Sequence, residues 1–283
     1  MTNYTDKQLT DFIDLCIIED LGDGDHTSLS TIPIGTQNRA QLLVKEKGII
    51  AGVSVAIRIF HRFDPTLKVT TYLKDGDPVS YGQVVLTVEG SAHSILKAER
   101  LVLNIMQRMS GIATYTNKVV SMVAHTKCKI LDTRKTTPGL RFLEKEAVLI
   151  GGGFNHRFGL YDMILIKDNH IDYAGGITQA LRNAKQYLMD TNRDLPIEIE
   201  TRSLTEVAEA LLEGGFYRIM FDNFSIDDLK KAVEMVGNLY QTEASGGITI
   251  HNVAEYAAHG VSCISIGALT HSVKSLDLSL KAN

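Results

Sequence analysis

Apolar positions recur along this chain with two periods, and the balance between them changes near the middle. Leu9, Phe12, Ile13, Cys16 and Ile17 repeat at helical spacing, which predicts an amphipathic helix over residues 5–21, ended by the turn-rich LGDGD. RAQLLVKEKGII, LKVTTYL and QVVLTVEG read as strands, parted by a helix around GVSVAIRIFHRF and by the turn signal KDGDPVSYG. Strands with so little helix between them predict a mixed or antiparallel sheet. SILKAERLVLNIMQRM is then strongly helical. Leu101, Ile105, Met109 and Ile112 form its buried stripe, while Arg100, Asn104, Gln107 and Gly111 share the opposite face. Gly111 and the change of pattern after it mark a boundary, followed by a helix from Tyr115 to Val123.

Beyond that point the chain repeats a unit of apolar strand and helix. The strands are CKILDTR, DMILIKD, PIEIET, YRIMFDN, the poorly apolar YQTEAS, and SCISIGA; helices are predicted at 138–150, 175–189, 203–213, 225–237 and 252–259. Pro138 opens the first of these helices, where its missing N–H costs nothing, and Gly151 to Gly153 close it. Successive units of this kind imply a parallel sheet, because a strand that returns in the same direction needs a crossover. Short connections without a reversal favour a closed or nearly closed barrel over a doubly wound sheet; six visible strands rather than eight leave room for an incomplete one.

Length and composition narrow the functional classes. A chain of 283 residues suits one large α/β domain with a smaller companion, and 44% hydrophobic with 22% charged residues is ordinary for a globular protein. A formal net charge of −4 argues against a general nucleic-acid surface. No apolar run approaches a membrane span, and MTNYTDKQLTDF is too polar for a signal peptide. Cys16, Cys128 and Cys263 are widely spaced and odd in number, which fits reduced, buried thiols in a cytoplasm. Asp23, Asp25 and His26 could ligate a metal, but turn chemistry is the reading favoured here.

Against this acidic background, Arg134, Lys135, His156, Arg157 and Lys167 gather at the edges of predicted elements rather than on solvated helix faces, which points to a small anion. The predicted strands end, in order, on Arg134 with Lys135, Lys167, Glu200, Asp222, Ser245-Gly246-Gly247 and Gly267-Ala268, and α/β folds place their chemistry at those ends. The glycines of SGGI and GAL would let backbone N–H groups approach a phosphate, with following helix N-termini adding positive potential. Glu200 and Asp222 suit Mg²⁺, which takes few carboxylates and completes its shell with waters and phosphates; the competing reading is structural pairing with Arg134 or Lys167. This combination describes phosphoribosyl transfer to an anionic acceptor. Two alternatives stand beside it: a Schiff-base lyase using Lys167, and a non-catalytic binding protein.

The motifs EDLGDGDHTS, AERLVLN, SGIAT, DTRKTTPG, GGGFNHRFGLYD, LIKDNH, DNF, EASGGI and GALTHSVKSLDLSL, in order along nearly the whole chain, closely resemble the quinolinate phosphoribosyltransferase family, also named nicotinate-nucleotide pyrophosphorylase (carboxylating). The resemblance implies an α/β fold with an N-terminal α/β sandwich over residues 1–111, joined by a C-terminal tail at 270–283 for which LDLSL is the candidate, and an open α/β barrel over 112–269. It implies quinolinate and phosphoribosyl pyrophosphate as substrates, Mg²⁺ as cofactor, and a cytoplasmic homodimer, possibly a higher oligomer. By motif, Arg134, Lys135, His156, Arg157 and Lys167 would bind carboxylates and phosphates, with Lys135 at the chemistry. Glu200 and Asp222 would face the ribose and the metal; Ser245, Gly246, Gly247, Gly267 and His271 would hold the 5-phosphate. Arg100 would reach into the neighbouring subunit's site. In IEIETRSL the alignment leaves Glu198 as the alternative to Glu200. A relative associated with molybdate transport shares a DTRKT-like motif, but NHRFGLYD and LIKDNH weigh against it.

Overall fold

A computed structural model describes residues 5–282. In chain order its elements begin α1 (Asp6–Leu21), α2 (His26–Thr31), β1 (Gln37–Val44), β2 (Gly48–Ile49), α3 (Val53–Phe63), β3 (Lys68–Thr71), β4 (Pro78–Val79), β5 (Val84–Ser91) and α4 (Ala92–Val123). They continue β6 (Lys129–Leu131), α5 (Arg141–Ile150), β7 (Ile164–Ile166), α6 (Asp168–Ala174), α7 (Ile177–Thr191), β8 (Ile197–Thr201) and α8 (Leu204–Glu213). The last are β9 (Arg218–Asp222), α9 (Ile226–Val236), β10 (Gln241–Ser245), α10 (Val253–Ala258), β11 (Cys263–Ser265), α11 (Ala268–His271) and β12 (Leu278–Ala282). The chain divides into two compact units: one holds residues up to Asn117, Thr137–Gly152 and those from Ser272 onward, the other Lys118–Thr136 and Gly153–His271.

The first unit carries an antiparallel sheet in the order β12-β1-β5-β3. Alternation along β1 buries Ala40, Leu42 and Val44, and β12 joins the edge with Leu278 and Leu280 inward, so the period-two segment LDLSL leads into a strand that begins at Leu278. A short pair, β2 with β4, escaped the sequence reading because two residues per strand leave no period to detect. α4 buries Leu101, Ile105, Met109 and Ile112 as its pattern predicts.

The expected helix break at Gly111 does not occur, since α4 runs unbroken to Val123. Gly111 is needed for another reason: a Cβ there would collide with the Lys274 carbonyl. The adjacent Gln107 is also covered. It donates to the Leu278 carbonyl at 2.8 Å and accepts from the Leu276 N–H at 3.0 Å, so part of the face expected to be polar and open is a seat for the C-terminal segment. Asp25 caps α2, accepting from the Ser28 N–H at 3.0 Å, while His26 lies 3.3 Å from Asp23 in solvent, so the Asp23–His26 cluster is turn chemistry. The thiols are free, but Cys16 and Cys128 are only partly buried; Cys263 alone is fully so.

The second unit carries a parallel sheet in the order β6-β11-β10-β9-β8-β7. All six strands fall within segments read as strands from the sequence, the poorly apolar YQTEAS among them. The first strand pairs with the last and the second begins the other edge, which is the order of a barrel opened between β6 and β7. A doubly wound sheet would instead reverse direction in its interior. Pro138 lies in a turn ahead of α5, which starts at Arg141, because the chain turns at Gly139 (φ +80°) before it can coil. α6 was unexpected: seven residues directly after a strand carry too few apolar positions to show a helical period.

Candidate functional site

The parallel register decides which side chains meet. Glu198 pairs with Arg218 on β9, Glu200 with Met220, Met220 with Glu243 on β10, and Asp222 with Ser245, so all of these side chains share the inward face of the sheet. Glu200, Asp222 and Ser245 line the opening near the carboxyl ends, while Glu198, Arg218 and Glu243 are buried in a layer beneath. Above that layer opens a cavity of about 660 Å³. Arg134 and Lys135 after β6, His156 and Arg157 from the loop before β7, Lys167 after it, Glu200, Asp222 and Ser245-Gly246-Gly247 all line it.

The cations and anions are arranged unevenly around the cavity. Arg157 is buried, and desolvation together with neighbouring Arg134 lowers its pKa. Its Nη1 donates to the Met163 carbonyl at 3.2 Å, while its buried Nε has no protein hydrogen-bond partner, a donor available to an anionic ligand. Lys167 lies 3.5 Å from Glu200. Burial pushes the Glu200 carboxyl up, Lys167 opposes that shift, and Asp222 reinforces it. The structural pairing weighed for Glu200 therefore exists, with Lys167 as partner. It is an ion pair at the cavity wall and leaves both groups facing the same space.

Lys135 is exposed, and its backbone is fixed by the Thr133 hydroxyl, which accepts from the Lys135 N–H at 3.0 Å, and by the Thr270 hydroxyl, which donates to the Lys135 carbonyl at 2.8 Å. Gly267 and His271 do not line the cavity directly. A Cβ at Gly267 would stand 3.0 Å from the His271 ring and from Lys135 Cδ, so both residues back the lysine. The SGG segment turns through left-handed backbone, φ +90° at Gly246 and +61° at Gly247. The helix expected at 252–259 is present as α10, but its N-terminus at Val253 does not adjoin the turn, so any anion contact here comes from the loop's own N–H groups rather than from that helix.

Beneath the cavity, His156 is held on three sides. Its N–H donates to Asp132 at 2.8 Å, its Nδ1 accepts from the Arg157 N–H at 2.7 Å, and its Nε2 lies 3.1 Å from Glu198 and 3.5 Å from Glu243. Both ring nitrogens thus face protein groups rather than the cavity. Glu198, the alternative to Glu200, is fully buried in this lower layer, so Glu200 is the carboxylate that reaches the cavity.

Thr133, Asp168, Asn223 and Ser265 also line the cavity and were missed. Asn223 carried a signal, because it follows a strand-end aspartate and asparagine tolerates the left-handed backbone it adopts (φ +56°). Arg100 sits on α4 in the first unit, about two-thirds exposed, with Glu99 3.9 Å away.

Residues 25–110 match the N-terminal domain, and residues 112–281 the C-terminal domain, of the family described as quinolinate phosphoribosyl transferase. The nicotinate-nucleotide pyrophosphorylase [carboxylating], chloroplastic, of Arabidopsis thaliana is 49% identical over 95% of this chain and 81% of its own length. The probable nicotinate-nucleotide pyrophosphorylase [carboxylating] of Bacillus subtilis is 43% identical over 96% and 93%. The crystal structure of NadC from Streptococcus pyogenes superposes with a TM-score of 0.94 at 36% identity, covering 99% of this chain and 98% of that one.

Proposed function

The chain belongs to the quinolinate phosphoribosyl transferase family, and we propose that the rim cavity is where it performs the family's reaction. The phosphoribosyl group passes from phosphoribosyl pyrophosphate to the ring nitrogen of quinolinate, with loss of pyrophosphate and CO₂, giving nicotinate mononucleotide for NAD synthesis. The observation that carries this reading is the convergence of Arg134, Lys135, Arg157 and Lys167 with Glu200, Asp222 and the SGG turn on one cavity at the carboxyl ends of the strands.

Both substrates are polyanions. The four cations offset their mutual repulsion and orient the acceptor nitrogen toward the ribose. Arg157, with a free buried donor, and Arg134 grip the pyridine carboxylates; Lys135, backed by Gly267 and His271, lies nearer the phosphates. The backbone N–H groups of Ser245-Gly246-Gly247 hold the 5-phosphate. As the ribose–oxygen bond breaks, positive charge grows on the ribose, and the carboxylates of Glu200 and Asp222 stabilise it. In the product the ring nitrogen is quaternary, so when the adjacent carboxylate leaves as CO₂, the bonding pair left on the ring carbon is stabilised beside that cation until a proton replaces it. His156 forms the cavity floor.

Mg²⁺ belongs to this reading. Glu200 and Asp222 are neighbouring carboxylates from adjacent strands that face the same cavity, the hard oxygen donors such an ion takes, and they would be the residues to hold it. When bound, the ion would supply positive charge to offset that of a departing pyrophosphate. Arg100, exposed and only loosely paired, completes the site of a second copy in a homodimer. The protein works in the cytoplasm, a reading its free thiols support. No helix among the described residues is long and apolar enough to cross a membrane.

A Schiff-base lyase finds less support, since Lys167 sits as an ion pair with Glu200 rather than as an amine in an apolar pocket. The test is incubation with phosphoribosyl pyrophosphate, Mg²⁺ and either carboxyl-labelled quinolinate or nicotinate. Label released as CO₂ with quinolinate, and no nucleotide from nicotinate, supports the reading; turnover of nicotinate, or none of quinolinate, refutes it.

A further inference from the structure

The interior of a barrel this size is usually filled by branched apolar side chains. Here the layer below the cavity holds Glu198 and Glu243, each 0% exposed, with Arg218 at 7% and His156 at 9%. They form a closed ring. Arg218 Nη1 donates to Glu243 at 2.7 Å and lies 3.6 Å from Glu198, and His156 Nε2 faces the same two carboxylates from the other side. Apolar residues would fill this space without desolvating four ionisable groups, so stability alone does not account for the ring.

What the ring touches gives it a task. His156 Nδ1 accepts from the Arg157 N–H, so the proton of a neutral imidazole is fixed on Nε2, the atom that faces the carboxylates. The next residue along the chain is the buried arginine that lines the cavity. We propose that Glu198, Glu243 and Arg218 are positioning residues: they hold the plane of the His156 ring through its Nε2, and through it the Arg157 backbone and guanidinium, and so set the grip on the acceptor's carboxylates. This inference rests on the phosphoribosyl-transfer reading for the identity of that acceptor.

A metal site is the competing use of the same atoms, because ligand atoms of His156, Glu198 and Glu243 lie within 4.8 Å of one another. Arg218 argues against it: its guanidinium already stands between the two carboxylates as their cation. A bound divalent ion would face that fixed charge at close range.

The test compares the wild type with Glu243→Gln, which keeps the shape, and with the double variant Glu243→Leu/Arg218→Met, which removes one charge of each sign and so leaves the net charge of the layer unchanged. In the double variant KM for quinolinate rises about tenfold or more, while kcat and the donor's KM stay within about threefold, because a misdirected arginine loosens one substrate only. Glu243→Gln stays within about threefold of wild type on every constant, since the amide preserves the packing and a hydrogen bond to Arg218. An unchanged quinolinate KM in the double variant, a joint collapse of all constants, or a stoichiometric transition metal in the purified wild type overturns the proposal. Nitrogen-15 shifts of the His156 imidazole provide a readout that needs no turnover. A changed Nε2 shift in the double variant, in which Nδ1 still accepts from the Arg157 N–H, supports the cradle, and identical Nε2 shifts in both overturn it even if the substrate assignment itself is at fault.

Discussion

Replacing Gly246 by alanine perturbs the phosphate loop and the carboxylate beside it together. Gly246 has φ +90°, where an L-residue costs about 1–2 kcal/mol. Its new Cβ would also run into Asn223, meeting the side-chain Oδ1, Cγ at 2.5 Å and the backbone N at 2.9 Å. Because the backbone is among the obstacles, a rotamer change cannot relieve the clash, and Asn223 must move. Asn223 holds two contacts: its N–H donates to the Ser245 carbonyl at 2.8 Å, and its Nδ2 to Asp222 at 2.8 Å. Losing or stretching both adds about 1–2 kcal/mol, so the variant should lose roughly 2–4 kcal/mol in all. Thermal unfolding should then shift down by roughly 5–10 °C. Because the displaced groups are the SGG turn and Asp222, the donor's KM should rise about tenfold or more while that of quinolinate changes little. Gly247→Ala is the control, with φ +61° but nothing within 4 Å of its Cβ, so it suffers backbone strain alone. If the two variants prove indistinguishable in stability and in donor KM, the coupling between Gly246, Asn223 and Asp222 is wrong.

Other consequences follow from particular side chains. Lys135→Ala should lower turnover by roughly 100-fold or more with the fold intact, as a positioned charge near reacting groups is worth about that; unchanged turnover would remove Lys135 from the site. Arg100→Ala mixed with Lys135→Ala should regain activity if sites are shared between two copies, and failure to complement after demonstrated subunit exchange would count against sharing. Burial, with Glu198 adding repulsion and His156 and Arg218 opposing it, pushes the Glu243 carboxyl up to about 7. A carboxyl whose pKa is higher in the folded state binds its proton more tightly there, so its contribution to stability is present at low pH and lost as pH rises from about 4.5 toward 7. Urea midpoints across that window should fall more steeply for the wild type than for Glu243→Gln; equal slopes would contradict this. Burial likewise lifts the Cys128 thiol to about 12 and that of Cys263 to about 11, so both should react slowly with a thiol reagent at neutral pH while the protein is folded. Labelling as fast as in urea would refute this.

The barrel strands were legible because all but the poorly apolar QTEAS are short apolar runs closed by a polar or glycine residue, and residues at or just past the strand ends line the cavity: Lys167, Glu200, Asp222 and Ser245. Features fixed by contacts distant in sequence were not. Gly111 reads locally as a helix stop, but it is there to admit the Lys274 backbone. IEIET shows two glutamates at a spacing of two, both on the inward face. Only the assembled barrel, in which Glu200 lines the cavity and Glu198 is fully buried, shows that one glutamate reaches the cavity and the other lies in the layer below. The His156 ring was equally hidden. NHRFG in sequence is a cationic loop; in the fold its imidazole turns toward Glu198 and Glu243, leaving the arginine to line the cavity.

The central claim is that a doubly negative pyridine and an activated sugar phosphate meet in the single cavity at the carboxyl ends of these strands. The most direct measurement is a crystal structure with quinolinate bound. The account predicts the pyridine carboxylates against Arg134 and Arg157, with the ring nitrogen turned toward the space in front of Glu200 and Asp222. Quinolinate bound away from this cavity, or within it with its carboxylates turned from both arginines, would contradict it.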